Sequence, residues 1–167
     1  MLHPVLVIVF LLLSSASSGA RAEQPPPVNY MLHCMGCHLA DGSGGPPEVP
    51  DVRGEMGRLL SIEGGRAYLV QVPGAAQAPI SDAELAGVVN YMLETFNAGT
   101  LPRDYAPLTE DEVALWREDW LPDVAAVREK LMARLRDATK RSQTRETLER
   151  VIHERNDIEV EPRTSLE

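Results

Sequence analysis

The sequence predicts an all-α fold with a C-terminal helical extension, and three observations carry this prediction. Ser81 and Glu84 have the spacing of a capping box, in which each side chain bonds the other residue's backbone N–H at the start of a helix. The apolar residues that follow recur three and four positions apart, so they share one helix face. In no stretch do apolar and polar residues alternate one by one, as they would in a half-buried strand. The clearest predicted helix covers residues 82–96.

The residues before this helix predict shorter elements joined by loops. A short helix is expected to begin near Val28 and to run into the segment that contains Cys34 and Cys37. Residues 41–50 hold three glycines and three prolines and are therefore predicted to be a loop. One or two helical turns are expected around residues 56–60 and 66–70. Residues 23–105 are predicted to form the first domain.

A second section, residues 106–155, is predicted to be a helical extension. Thr109 and Glu112 have the spacing of a second capping box, and Trp116 and Trp120 lie four apart on the helix that follows, which Pro122 should break. These tryptophans are expected to anchor the extension on the first domain, since both fall on one face. Docking on a second protein is the alternative, because interfaces are rich in Trp and Arg.

The rest of the extension is predicted to be one long polar helix, from Val124 to about His153. Its narrow apolar stripe thins out beyond Ala138, where a mostly solvated helix is an equally good interpretation. The stripe consists of Val124, Val127, Leu131, Leu135 and Ala138. Residues 156–167 are predicted to be a disordered acidic tail.

The first 22 residues have the composition of a cleaved secretory signal peptide. An apolar run, Val5–Leu13, precedes Ala20-Arg21-Ala22, which has the small-x-small form that signal peptidase reads. The run is short for a bilayer span, so an uncleaved anchor is the weaker alternative. We therefore predict export to the periplasm, with no membrane association.

Net charge narrows the classes of partner. Without residues 1–22 the chain carries 25 acidic and 15 basic residues, a formal charge of −10. Nucleic acid is excluded as an expected partner, because binding its phosphates needs a basic face. A protein with a basic docking patch fits better, since opposite charges steer the encounter.

The two cysteines of the chain indicate a haem attachment site. Cys34 and Cys37 are separated by two residues and His38 follows directly. This spacing lets two thiols add to the two vinyl groups of one haem while the imidazole binds its iron from the same turn. A redox dithiol would need a surrounding βαβ pattern, and a zinc site would need further ligands nearby. The expected cofactor is one covalently bound haem c.

Two segments of the chain resemble the class I c-type cytochromes. Residues 30–45, YMLHCMGCHLADGSGG, resemble their attachment segment, and residues 79–96, PISDAELAGVVNYMLETF, resemble their last helix. The resemblance implies a cytochrome c-like haem domain in which the first and last helices cross beside the haem. The candidates for that contact are Tyr30, Leu32, Val89 and Tyr91.

The resemblance also implies a partner for the haem-binding imidazole. A proline carbonyl after the glycine-rich loop, at Pro46 or Pro47, would accept the Nδ1 hydrogen of His38, and such a bond fixes the ring and strengthens it as a ligand. Arg58, Arg66 and Tyr68 are candidates to face the haem or its propionates.

The sixth iron ligand is where the chain departs from this family. The family supplies a methionine shortly before its last helix, yet residues 68–81 contain neither Met nor His. Met92 is interpreted as a core residue of the last helix. Met56, next to Gly54 and Gly57, is the predicted ligand. The alternative is an open distal face lined by Val72–Ala78.

The predicted function is single-electron transfer between redox proteins by a periplasmic mono-haem c-type cytochrome. The protein is not expected to be an enzyme, because no other catalytic constellation and no small-molecule site is evident. One alternative is a fixed haem subunit of a larger oxidoreductase, with the extension as its docking arm. Another is a haem sensor or peroxidase that uses an open distal site.

Overall fold

A computed structural model describes residues 23–45 and 49–159, with side chains up to Arg155. The predicted leader, residues 46–48 and residues 160–167 lie outside the described residues. Within the described ranges the fold is helical and has no strand, only an isolated bridge between His38 and Gly44. The all-α prediction is confirmed. The helices are α1 Pro26–His33, α2 Glu55–Leu59, α3 Gly65–Gln71, α4 Pro73–Ala76, α5 Asp82–Phe96, a 3-10 turn Ala98–Thr100, α6 Glu110–Arg117 and α7 Val124–Glu159.

Helix α5 is the central element, and it begins where its capping box predicts. The Ser81 hydroxyl accepts from the Glu84 amide at 3.1 Å, and the Glu84 carboxylate accepts from the Ser81 amide at 3.0 Å. Its predicted apolar face is buried in the main core except for Phe96, which is partly buried. The buried members of that face are Leu85, Val88, Val89, Met92 and Leu93.

Helices α1 and α5 pack against each other, as the predicted crossing of the first and last helices requires. Gly87 permits the close approach, since a Cβ there would lie 3.3 Å from Pro26. The Tyr30 ring lies 5.8 Å from Tyr91 and 5.3 Å from Phe96, within the range of favourable aromatic pairs. The prediction for Leu32 is wrong: its side chain is 62% exposed, because it points away from α5.

A buried asparagine fixes α2 against the end of α5. The Asn97 side chain, 2% exposed, accepts from the Gly57 amide at 3.1 Å and donates to the Met92 carbonyl at 3.1 Å. Any side chain at position 57 would clash, because a Cβ there would lie 2.4 Å from the Thr100 hydroxyl. The position of α2 matters because this helix carries Met56.

The first part of the extension packs directly on the first domain. Helix α6 contacts α3, α4 and α5, and Val113 on its inner face is completely buried. Asn90 of α5 accepts from the Leu108 amide at 2.7 Å and donates to the Leu108 carbonyl at 2.9 Å. Trp116 packs on the core, as predicted, whereas Trp120 is 45% exposed because α6 ends at Arg117, before Pro122 is reached.

An ion pair joins the start of α6 to α3. Arg66 donates to both carboxylate oxygens of Glu112 at 2.8 Å and to the carbonyls of Ala106 and Pro107. These bonds from Arg66, together with the capping box at Thr109, lower the pKa of Glu112 from 4.5 to about 2. The extension is therefore held to the first domain by a carboxylate that must stay ionised.

This ion pair predicts a specific acid sensitivity. A carboxylate whose pKa is depressed on folding contributes stability above pH 4.5, and that contribution is lost as the pH falls toward 2. Since both side chains are partly exposed, solvent screening leaves on the order of 1–2 kcal/mol. Glu112→Gln is expected to lower the free energy of unfolding by this amount at pH 6 and by almost nothing at pH 2, in urea titrations. Glu110→Gln, an exposed site in the same turn, is the control; equal losses in both variants would contradict the assignment.

Helix α7 is longer than predicted and has two different halves. Leu131 is buried, Arg128 pairs with Glu55 of α2 at 2.6 Å, and Arg134 donates to the Glu63 carbonyl at 3.3 Å. From residue 139 to 155 every side chain is exposed. The helix continues to Glu159 because neither proline nor glycine occurs between His153 and Glu159. No helix in the described ranges combines the length and the apolar composition of a membrane span.

Candidate haem site

The attachment motif forms a tight turn at the end of α1. The amides of Cys37 and His38 both donate to the Cys34 carbonyl, at 3.1 and 2.9 Å. The turn thus brings both thiols and the imidazole to one side of the chain, and all three side chains line one cavity. This is the juxtaposition that the spacing predicts.

The two thiols differ in exposure, since Cys37 is exposed to solvent and Cys34 is not. Cys34 is half-buried, and burial, followed by the nearby Cys37, raises its pKa from 9.0 to about 11. A redox dithiol instead depends on a lowered thiol pKa. In the described part of the chain no three His, Cys, Asp or Glu residues cluster as a metal site would require. Both competing interpretations of the motif are therefore weakened.

The His38 imidazole is held neutral and faces a proline carbonyl. Burial lowers its pKa, while the Pro50 carbonyl beside it acts in the opposite direction. Its Nδ1 atom is buried and has no partner with full hydrogen-bond geometry. Gly44 lets the chain fold back here, since a Cβ would lie 2.0 Å from the Val49 carbonyl oxygen. The family resemblance predicts this carbonyl at Pro46 or Pro47, which lie outside the described residues; the carbonyl that the structure places beside His38 is that of Pro50.

Tyr30 fixes the backbone that carries the imidazole. Its hydroxyl donates to the carbonyls of His38 and Leu39, at 2.9 and 2.7 Å, from a ring that is only 3% exposed. Burial raises the pKa of this phenol to about 12, so it remains a donor at physiological pH. The core between α1 and α5 is in this way connected to the residue that would bind iron.

The cavity that these residues line has a volume of about 280 Å³ and a mostly apolar wall. Its floor is the attachment turn, and its walls come from α2, α3, α4, α5 and the segment before Ser81. An apolar cleft with a few polar groups is the usual form of a cofactor site. The apolar residues of its walls include Val52, Leu59, Leu69, Val72, Ala75, Ala78, Ile80, Leu85, Val88 and Val89.

Two methionines line this cavity. Met56 of α2 is 7% exposed and Met92 of α5 is 6% exposed. Met31, Met35 and Met132 do not line it. Met56 therefore stays a predicted ligand, and Met92, interpreted from sequence as a core residue, also faces the site. His33 is at the rim beside Cys34, whereas the segment Val72–Ala78 lines the cavity without a Met or His, as the open-face alternative requires.

Polar residues at the cavity differ from those that the sequence singles out. Tyr68 lines it, as predicted, and is buried. Arg66 does not, because its guanidinium is engaged by Glu112 and two carbonyls, and Arg58 is also absent from the wall. The arginine that lines the cavity is Arg128 of α7.

Arg128 is not among the residues predicted from sequence to face the haem, although the sequence contains a pattern that places it on the inner face of α7. It lies four residues after Val124 and three before Leu131, so it falls on the apolar stripe of α7. Val124 also lines the cavity, and Arg128 is held there by its 2.6 Å contact with Glu55. The extension is thus part of the wall of the site.

A helical fold with two thiols and an imidazole on one apolar cavity is the arrangement that a protein of the haem-binding class would need. Two proteins named cytochrome c-552, both from Thermus thermophilus, are similar to the chain. One is 28% identical over 145 residues, covering 75% of this chain and 95% of that protein. The other is 30% identical over 118 residues, covering 59% of this chain and 90% of that protein. No family model matches the chain.

The chain belongs to the c-type cytochromes, the family of these two proteins. Membership accounts for the combination of the Cys34–His38 turn with a half-buried imidazole whose pKa is lowered by burial. Three quarters of the chain is more than residues 1–105, so the first match continues into the extension. At least part of the extension, residues 106–155, is therefore similar to that relative.

Proposed function

We propose that this protein is a periplasmic electron carrier that holds one haem c covalently and passes single electrons between redox proteins. The observation that carries the proposal is the convergence of Cys34, Cys37 and His38 on one apolar cavity that also contains a buried Met56. Such a cavity fits a porphyrin, and the neutral imidazole fits iron. A haem held between His and Met favours electron transfer over ligand chemistry.

Each part of the chain has a definite task in this proposal. The thiols of Cys34 and Cys37 would form thioethers with the haem, and His38 and Met56 would be its axial ligands. The bound haem supplies a reversible one-electron iron couple. The chain excludes water with its apolar walls, and Tyr30 fixes the backbone of the axial histidine. Reorganisation on electron transfer is small when ligands and walls are rigid.

Electrons would leave at the side where the attachment turn is exposed. Cys37 is exposed, and three large apolar side chains near it in sequence are exposed by half or more: Met31 52%, Leu32 62% and Leu39 53%. The acidic character of the chain suits a partner with a basic docking patch. The leader, residues 1–22, supports export, which also suits haem attachment to thiols.

One observation favours a second candidate function, a haem sensor or peroxidase with an open sixth position. The wall segment Val72–Ala78 lines the cavity and has no side chain that binds iron. If Met56 stays in the core, small ligands would have access to iron from this side. The optical spectrum separates the two candidates, because an open site is high-spin and binds carbon monoxide rapidly.

The proposal is tested with holoprotein made in a host that matures c-type cytochromes. A spectroelectrochemical titration is expected to show one reversible couple with a one-electron slope and one haem per chain. Absence of a reversible couple would refute the carrier function. A high-spin ferric spectrum with rapid carbon monoxide binding would favour the second candidate instead.

Arg128 supplies a further prediction about the couple. Its cation lines the cavity, where it would oppose the extra positive charge of ferric iron and would pair with a haem propionate. A unit charge within about 10 Å of iron changes the redox free energy by on the order of 1 kcal/mol, or roughly 40 mV. Arg128→Gln is therefore expected to lower the reduction potential by tens of millivolts, since it also leaves Glu55 unpaired.

The control for this variant is Arg136→Gln on the same helix, where the side chain is exposed and does not line the cavity. Both potentials are measured at the same ionic strength, because salt screens surface charges more than buried ones. An Arg128→Gln potential equal to or above that of wild type would contradict the prediction.

A further inference from the structure

One wall of the proposed haem cavity is a segment without any side chain that binds iron. Residues 72–80 contribute Val72, Gly74, Ala75, Ala78 and Ile80 to the lining, and the segment contains no Met, His or Cys. No bond from this segment to iron is therefore available. Other interactions must therefore fix the position of this wall segment, residues 72–80, beside the proposed haem site.

Arg117, the last residue of α6, makes five hydrogen bonds at this wall. Its Nε and Nη2 donate to the Ala76 carbonyl at 3.1 and 3.0 Å, and Nη2 also donates to the Ala78 carbonyl at 2.8 Å. Its Nη1 donates to the Ile80 carbonyl at 3.0 Å and to the Asp82 carboxylate at 2.6 Å. A guanidinium has five N–H donors, so every donor of Arg117 is used on residues 76–82.

These hydrogen bonds matter for stability because both the guanidinium and the carbonyls that it contacts are largely buried. The Arg117 side chain is 17% exposed, while Ala76 and Ala78 are 7% and 9% exposed. A carbonyl that loses its partner at such a place bears the full cost of desolvation. The amides of the segment are bonded within it, for example Gln77 to Pro73 at 3.0 Å and Ala78 to Ala75 at 3.1 Å. Arg117 satisfies the opposite, carbonyl side.

A second bond from the extension fixes the start of the same wall. The Leu121 amide, just after α6, donates to the Gln71 carbonyl at 2.9 Å. The wall segment is therefore tied to the extension at both ends, by Leu121 before Val72 and by Arg117 at Ala76–Asp82. It cannot move away from the cavity without breaking these bonds.

We propose that Arg117 is a positioning residue that holds the wall segment closed over the haem and thereby limits the access of external ligands to iron. The proposal rests on the proposed haem at His38. It assigns the extension a role at the cofactor. An axial ligand within residues 72–80 would fix this segment beside the haem, and here the hydrogen bonds from the extension fix it instead. It applies whether Met56 or a weaker ligand takes the sixth position, since the wall segment lines the cavity in either case.

The test compares three holoproteins: wild type, Arg117→Gln and Arg66→Gln. Imidazole binding to ferric protein and carbon monoxide binding to ferrous protein are followed by stopped flow. Arg117→Gln is expected to bind both probes at least tenfold faster, because the loss of even one of the five charge-assisted bonds raises the open population by about this factor. Arg66→Gln removes a comparable clamp between extension and domain that does not touch the wall, and it should bind them at the wild-type rate.

Amide hydrogen exchange supplies a readout that does not depend on the haem spectrum. In Arg117→Gln the amides of Gln77, Ala78 and Ile80 are expected to exchange at least tenfold faster, while the α5 amides keep their protection. Arg66→Gln should leave the wall amides unchanged. If Arg117→Gln does not accumulate as a folded protein, Arg117→Lys, which keeps the charge but fewer donors, takes its place in both measurements.

Three results would overturn the proposal. Wild-type exchange at the wall amides in the arginine variant would show that Arg117 does not hold the segment. Faster exchange with unchanged binding of both probes would show that the wall does not limit access. Equal acceleration in both variants would show general loosening. A wild-type protein without haem would refute the proposed function by itself, while the exchange result would still decide whether Arg117 holds the wall.

Discussion

Replacing both thiols, Cys34→Ser with Cys37→Ser, is expected to abolish covalent haem retention completely. A serine hydroxyl does not form the thioether with a vinyl group, so any haem left in the cavity would be held by His38 and apolar contact alone. The pigment of the wild type should stay with the polypeptide in acidified organic solvent, and that of the double variant should extract. Absorbance of the two phases measures the difference directly.

A matched control is available inside the same turn. Gly36 is between the two cysteines, and a Cβ built there has no atom within 4 Å, so Gly36→Ala should keep its haem. If the double variant retains its pigment through acid extraction, covalent attachment at these thiols is wrong. Loss of pigment from Gly36→Ala as well would show that the assay reports expression or folding instead of the thioether bonds.

Met56→Leu is expected to have the second largest effect, loss of the sulfur-to-iron charge-transfer band and a fall in reduction potential. Leucine nearly conserves the volume of methionine, which keeps the cost in stability below about 1.5 kcal/mol. Axial ligands set haem potentials over a range of about 0.8 V, so loss of a thioether ligand should lower the potential by on the order of 100 mV or more. Optical spectra of ferric protein and a redox titration provide the two measurements.

Met92→Leu is the matched control, because Met92 lines the same cavity and is buried to the same degree. Retention of the band in Met56→Leu and its loss in Met92→Leu would transfer the ligand to α5. A wild-type protein that lacks the band altogether would contradict methionine ligation and favour the open-site alternative. The pair of variants therefore distinguishes the three arrangements of the sixth position.

Features that depend on neighbours in sequence could be predicted well. Both capping boxes, at Ser81 and Thr109, start helices as expected, because the bonds that define them join residues three apart. The apolar spacing of α5 identified its buried face for the same reason. The attachment turn at Cys34 could likewise be placed, since its geometry is contained in five consecutive residues.

Features that depend on partners far apart in sequence could not be predicted. Arg66 was a candidate for the haem, but its partner Glu112 is 46 residues away and only the folded chain shows which of the two sites it occupies. Arg128 reaches Glu55 across 73 residues, so its place at the cavity depends on how the extension docks. Leu32 is a candidate for the helix contact through the family resemblance alone, and a resemblance does not specify which face of α1 is buried against α5.

The exposed half of α7 has a consequence for any study of thermal unfolding. A helix of 36 residues is about 54 Å long, and its side chains from residue 139 to 155 are exposed, so local bonds such as that from Ser142 to Glu146 oppose fraying there. Far-ultraviolet circular dichroism will record this fraying, whereas the Soret band will report only on the surroundings of the porphyrin. The two melting curves should not superimpose, and a single midpoint taken from ellipticity would understate the heat resistance of the cofactor-bearing core.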